Sequence, residues 1–198
     1  MKFPVLLGKI KACDICAAHL PCGPRPLLQA APRARIRIAG QAPGIRAHDS
    51  GVPFDDPSGD RLREWMGIDK VDFYDADKVA IVPMGFCYPG TGRSGDLAPR
   101  AECAPQWRDT LLGCLPNIKI TLVIGMYAQK YHLPDNRHAN LTQTVRAWRD
   151  FMPQALPLPH PSPRNNRWLS KNQWFAAEVL PQLNRAVAAA LSPAPSSD

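Results

Sequence analysis

The segment from Arg35 to Phe54, RIRIAGQAPGIRAHDSGVPF, constrains the fold more than any other stretch of the chain. Ile36 and Ile38 alternate with Arg35 and Arg37, the period of a strand, and Ala39-Gly40 removes side-chain bulk where that strand ends. The next loop therefore leaves the carboxyl edge of a sheet, the edge at which open α/β folds bind ligands. Gln41, Pro43, Gly44 and Gly51-Val52-Pro53-Phe54 stiffen this loop, with an amide side chain near its start and an aromatic ring at its end. Such a loop suits a flat polar ring, with Phe54 stacked on its face and Gln41 and the backbone of Gly40 and Ala42 at its edge. The plainer alternative is a strand-to-helix turn with Phe54 in the core.

Three more apolar runs read as strands: Asp77 to Val82, Lys119 to Ile124, and Ala155 to Leu158. Helical patterns lie between and around them. The first spans Val5 to His19 with a break near its cysteines, Cys13 and Cys16 falling in its second half. Another is capped by Ser58 and stopped by Gly67, a third has Pro105 in its first turn, and a fourth covers Thr142 to Phe151. Ser170 to Gln173 reads as a capping box for the last helix, whose Trp174, Phe175, Val179, Leu183 and Val187 form one stripe. Strands alternating with helices predict a three-layer α/β/α sandwich with a central four-stranded parallel sheet. We expect one domain over residues 1–191 and a disordered tail over 192–198, where SPAPSSD cannot build a core.

No stretch is long and apolar enough to span a membrane, and the opening MKFPVLLGKI lacks the core and cleavage site of a secretion signal, so a cytoplasmic protein is expected. A formal net charge of +7 favours a polyanionic partner such as nucleic acid, with surface solubility as the plainer alternative. The six cysteines then point to metal binding, catalysis or burial instead of disulfides.

The second loop with concentrated chemistry is His160-Pro161-Ser162-Pro163-Arg164-Asn165-Asn166-Arg167, directly after the last strand. Topology places it opposite the GQAPG loop. Two prolines fix the backbone around His160, and a neutral histidine held this way donates a hydrogen bond to a developing negative charge. Ser162 and the arginines supply phosphate donors in the same turn. A polar capping loop is the alternative.

GQAPG with Pro53-Phe54 downstream, followed by a distal HPSPRN after the terminal strand, resembles the uracil-DNA glycosylase superfamily over nearly the whole chain. Cys13 and Cys16 before the first strand, with Cys87 and Cys103 after the second, resemble its iron–sulfur class, where four such cysteines hold a [4Fe-4S] cluster near the DNA-binding face. Four thiolates without histidine suit a cluster or structural zinc, and spacing does not separate them; the resemblance favours the cluster, with zinc second. Cys22 is a competing ligand, and Cys114 reads as packing.

The resemblance implies a monomeric, monofunctional DNA glycosylase of base excision repair that hydrolyses the bond to a flipped deaminated base in single- or double-stranded DNA. Phe54 would stack on the base, Gln41 would bind its edge or place water, and His160 would hydrogen-bond the departing base. Gly40, Ala42, Ser162, Arg164 and Asn165 would complete the binding site, while Trp168 and Leu169 read as packing under the last helix. The class carries an acid where this chain has Gln41, another where it has Ala47, and a uracil-reading Asn where it has Pro83. His48 and Asp49 are the expected replacements for the acid; Asp55 and Asp56 are further carboxylates, with Asp56 as a helix cap. Hypoxanthine, xanthine or a damaged pyrimidine then join uracil as candidate bases. Two other classes compete: a non-catalytic sensor of damaged or single-stranded nucleic acid, and a redox protein working through Cys13-Cys16.

Overall fold

The computed structural model describes residues 1–93 and 95–192. Beyond Ser192, the expected disordered tail lies outside the described residues. Four strands, β1 (Ile36–Ala39), β2 (Val79–Ile81), β5 (Ile120–Ile124) and β6 (Ala155–Leu158), form one sheet in the order β2-β1-β5-β6. Every neighbouring pair is parallel, with Ile36 in register with Val79 on one side and Ile120 on the other. A parallel sheet of this kind must be covered on both faces, which explains why every residue of β2 and β5 is buried.

One face, through Ile36, Ile38, Ile81, Leu122 and Leu158, packs against α3 (Pro57–Met66) and α9 (Leu180–Leu191). The other, through Ala80 and Val82, meets Leu6 and Ile10 of α1 (Phe3–Lys11) and Leu111 of α5 (Cys103–Leu112). The expected three-layer architecture is thus present. No helix among the described residues is long and apolar enough to cross a membrane.

The second face also carries an unusual polar core. Arg108 of α5 is only 1% exposed and donates to the carbonyls of Val82 and Pro83, fixing the carboxyl end of β2. Burial, reinforced by Arg108, brings the Arg37 guanidinium down to about 10.

Several local expectations need correction. The first helix ends at Lys11, so Cys13 lies in the turn beyond it and Cys16 just before a short 3₁₀ segment (Ala17–His19). Asp56, and not Ser58, caps α3, its Oδ1 accepting from Gly59 N at 2.8 Å. The Thr142 to Phe151 segment divides into α7 (Leu141–Arg146) and a 3₁₀ turn (Trp148–Phe151). Ser170 to Gln173 is no capping box: Ser170 Oγ donates back to Arg167 O inside α8 (Asn166–Lys171). A π-helical turn (Phe175–Val179) then leads into α9, where Pro181 supplies no N–H to the preceding turn. The stretch after β2 also forms an antiparallel hairpin of β3 (Thr91–Gly92) and β4 (Gly95–Asp96).

Candidate active site

The loops after β1 and β6 face each other at the carboxyl edge of the sheet and enclose an open pocket of about 280 Å³. Its wall includes Gly40, Gln41, Ala42, Phe54, His160, Ser162 and Arg164. Two loops more than a hundred positions apart in sequence meet because β1 and β6 are both neighbours of β5 and point the same way.

Phe54 has a φ of 57°, in the left-handed region that a bulky side chain enters only under constraint. Several contacts impose that conformation. Tyr74 donates its hydroxyl to Pro53 O at 3.0 Å, and Phe73 meets the Phe54 ring edge-on with centroids 6.2 Å apart. The ring also lies over Gly40, where a β-carbon would stand 3.6 Å from Phe54 Cζ. The aromatic wall is therefore set before any ligand arrives.

His160 is held from three sides. Ser162 N donates to its Nδ1 at 3.2 Å, Asn165 Nδ2 donates to its carbonyl at 2.7 Å, and Arg61 donates to the carbonyls of Pro161 and Ser162. An Nδ1 that accepts carries no proton, so in the neutral ring Nε2 is the donor. Burial lowers the His160 pKa, with Asp56 and Asp96 acting in the opposite direction. The result is a neutral imidazole with a defined tautomer on the pocket wall.

Gln41 lines the pocket, but its side-chain amide donates to Leu97 O at 3.2 Å, tying the loop after β1 to the hairpin. Asn165 supports His160 and does not line the pocket. His48 and Asp49 also stand outside its wall. The short helix α2 (Ile45–Ser50) turns Ile45, Arg46 and Ala47 towards the pocket and carries the next two residues away. His48 is buried with its ring 6.0 Å from that of Tyr88, and Arg25 donates to the carbonyls of His48 and Asp49. Among the described residues two carboxylates do reach the wall: Asp56, which the sequence offered both as a further carboxylate and as a helix cap, and Asp96, which no sequence signal singled out. Trp168 and Leu169 pack against the main core.

Cys13, Cys16, Cys87 and Cys103 line a second, smaller pocket walled by Leu20, Phe86 and Trp107. Trp107 Nε1 donates to Cys13 Sγ at 3.3 Å, and Phe86 N to Cys103 Sγ at 3.4 Å. Burial raises the Cys103 thiol to about 11, and burial followed by neighbouring cysteine sulfurs raises Cys87. Among the described residues no three His, Cys, Asp or Glu side chains converge as ligands of a single ion. Cys22 is exposed, whereas Cys114 packs beside the α1/α5 core.

Comparison with known proteins places these observations in a family. The family model described as the uracil DNA glycosylase superfamily matches residues 29–184, which include both pocket loops. A solution NMR structure from Methanosarcina acetivorans, described as a candidate uracil DNA glycosylase, is similar at 14% identity. That match covers 79% of this chain and 93% of that one, with a TM-score of 0.48.

Proposed function

The chain belongs to the uracil DNA glycosylase superfamily, and from that premise we propose that it is a monofunctional DNA glycosylase of base excision repair. Its substrate on this reading is a deaminated base, uracil or a related one, flipped out of DNA. The observation that carries the reading is the pairing of Phe54 with His160 on one pocket wall, the ring already fixed and the imidazole neutral. A glycosylase must grip a flat base and stabilise the negative charge it acquires when its bond to the sugar breaks. Phe54 supplies the stacking face, and Nε2–H of His160 supplies the hydrogen bond to the departing base. A neutral imidazole strengthens that bond as charge develops.

In the hydrolysis a water oxygen bonds to C1′ of the sugar as the C1′–N bond breaks, its electron pair leaving with the base. Pro83 offers no side-chain donor for the base edge and the Gln41 amide nitrogen is tied to Leu97 O, so the Gln41 amide oxygen and backbone groups of Gly40 and Ala42 are the groups we assign to reading it. The pocket therefore suits a wider range of deaminated bases than uracil alone. Arg46 and Arg164 are exposed at its rim and suit contacts to phosphates flanking the flipped nucleotide, with the protein acting as a monomer on its DNA.

The iron–sulfur class is the further part of the proposal. Cys13, Cys16, Cys87 and Cys103 would hold a [4Fe-4S] cluster. Support comes from their common pocket and from the N–H···S hydrogen bonds that Cys13 and Cys103 accept, the kind that stabilises a metal-bound thiolate; the resemblance, and not the spacing, favours the cluster over zinc. When bound, the cluster would cross-link the segment before β1 to the loop after β2.

The test is release of the base from single- and double-stranded oligonucleotides, each carrying uracil, hypoxanthine, xanthine or an oxidised pyrimidine, with cleavage at the abasic site as readout. Release that falls at least about a hundredfold in His160→Ala supports the enzyme. Binding of these strands without release from any of them would replace it with a non-catalytic sensor, a reading the absence of a carboxylate at positions 41 and 47 favours.

A further inference from the structure

Hydrolysis at C1′ requires more than a grip on the leaving base. Positive charge develops on the sugar, and the attacking water must lose a proton. We propose that Asp96 is the catalytic carboxylate of this pocket, an inference that rests on the glycosylase reading above.

Asp96 comes from the β3–β4 hairpin, a part of the chain separate from both motif loops, yet the hairpin touches each of them. The Gln41 amide bonds to Leu97 O on one side. A β-carbon on Gly44 would stand 3.4 Å from Asp96 Oδ2, so the carboxylate rests on the backbone of the GQAPG loop. Gly95, with a φ of 135°, lies against Arg164: a β-carbon there would be 2.7 Å from Arg164 Nη1. The hairpin thus spans the pocket from one loop to the other and sets Asp96 on the wall between them.

The other carboxylate on this wall is differently employed. Asp56 spends Oδ1 on the first turn of α3, accepting from Gly59 N at 2.8 Å. Among the described residues, Asp96 has one hydrogen bond, a long one of 3.4 Å from the Thr91 hydroxyl. Its residue is exposed, and its oxygens remain free to take a water. The field of Asp96 also reaches His160, as expected for groups facing one cavity.

In the step assigned to it, a carboxylate oxygen of Asp96 takes a proton from water while the water oxygen bonds to C1′. The C1′–N bond breaks, and its electron pair goes to the base, which accepts the hydrogen bond from His160 Nε2–H. The proton on Asp96 then passes to solvent, and the base is protonated on release. Until the bond forms, the same negative charge stabilises the cationic sugar. The Gln41 tie to Leu97 is what keeps the carboxylate in place, so Gln41 acts in this step as a positioning residue.

The experiment compares Asp96→Asn and Asp56→Asn with the wild type in single-turnover base release, using the oligonucleotide the wild type cleaves fastest. DNA affinity of each protein is measured in parallel on an uncleavable strand. Asp96→Asn should lower the rate at least about a hundredfold, with DNA affinity unchanged or tighter, because it removes a negative charge facing the phosphates. Its loss should exceed that of Asp56→Asn at least tenfold; asparagine retains the helix cap. Asp96→Ser, neutral and smaller, should show the same slow chemistry and intact binding, and serves if the Asn variant does not fold.

A rate within about threefold of wild type in Asp96→Asn would overturn the proposal while leaving the glycosylase reading intact. So would a larger loss in Asp56→Asn, or a loss accompanied by weakened DNA binding, which would mark a structural role for the hairpin. A wild type that releases no base from any strand would end the glycosylase reading and this inference together.

Discussion

A methyl group on the α-carbon of Gly59 would stand 1.7 Å from the carbonyl oxygen of Phe54. The first turn of α3 is thus in direct backbone contact with the end of the loop that presents the aromatic wall. Asp56 caps the same turn, and Phe54 takes its left-handed conformation immediately before it.

Gly59→Ala should therefore act on the pocket as well as on stability. Neither backbone segment can yield as a flexible side chain would, so the substitution should cost about 2 kcal/mol or more. Urea unfolding reads that loss, and base release should fall with it because Phe54 must move. Gly8→Ala, which meets no atom within 4 Å, is the control and should be neutral or slightly stabilising in its helix.

The tautomer of His160 depends on a backbone N–H, which a proline removes without a large change of conformation. Ser162 already has a φ of −57° and a ψ of 142°, values that proline adopts. Ser162→Pro should slow base release roughly fivefold, the worth of a net hydrogen bond of about 1 kcal/mol. Ser162→Ala, which keeps the N–H, should lose less. Comparing the two variants in single-turnover assays separates the N–H from the hydroxyl.

Acid should weaken the fold through His132. Burial, then Arg37 and Arg108, brings its pKa down to about 3, and Arg108 Nη1 lies 3.2 Å from its Nε2. The unfolded chain binds a proton near pH 6.5, while the folded chain refuses it until about 3. Stability should therefore fall continuously as pH drops across that interval and be unaffected by this group above it. Chemical unfolding of His132→Gln should show a flatter dependence over the same range.

If the cysteines hold a cluster, protein purified without oxygen should absorb in the visible. Cys103→Ser and Cys87→Ser should lose that absorption and melt at lower temperature, whereas Cys22→Ser and Cys114→Ser should keep it. Trp107→Phe removes the donor to Cys13 Sγ but no sulfur, so it should stay coloured with a shifted reduction potential. Treating the wild type with a chelator and oxidant should reproduce the lowered melting temperature.

The sequence by itself determined the α/β class, the position of the strands and the pair of loops that meet at the pocket. Each of these rests on local physics: alternation in RIRIA, an apolar run in ITLVI, and prolines that stiffen HPSP. Asp56 as a cap was equally legible, because a cap is read by residues three positions away. The break after Lys11 was only half visible, since apolar spacing continues past the point where Cys13 and Cys16 leave the helix.

Tertiary structure alone decided which charged groups share the pocket. His48 and Asp49 sit next to the motif in sequence, but one turn of α2 carries them away from it. Asp96 lies far along the chain and enters the wall because the hairpin folds back over Gln41 and Arg164. Periodicity places residues on the faces of helices and strands, whereas a short hairpin held by one hydrogen bond to the loop after β1 and by packing against Arg164 of the loop after β6 leaves no such pattern. Its carboxylate becomes visible only once β1 and β6 have brought those loops together around β5.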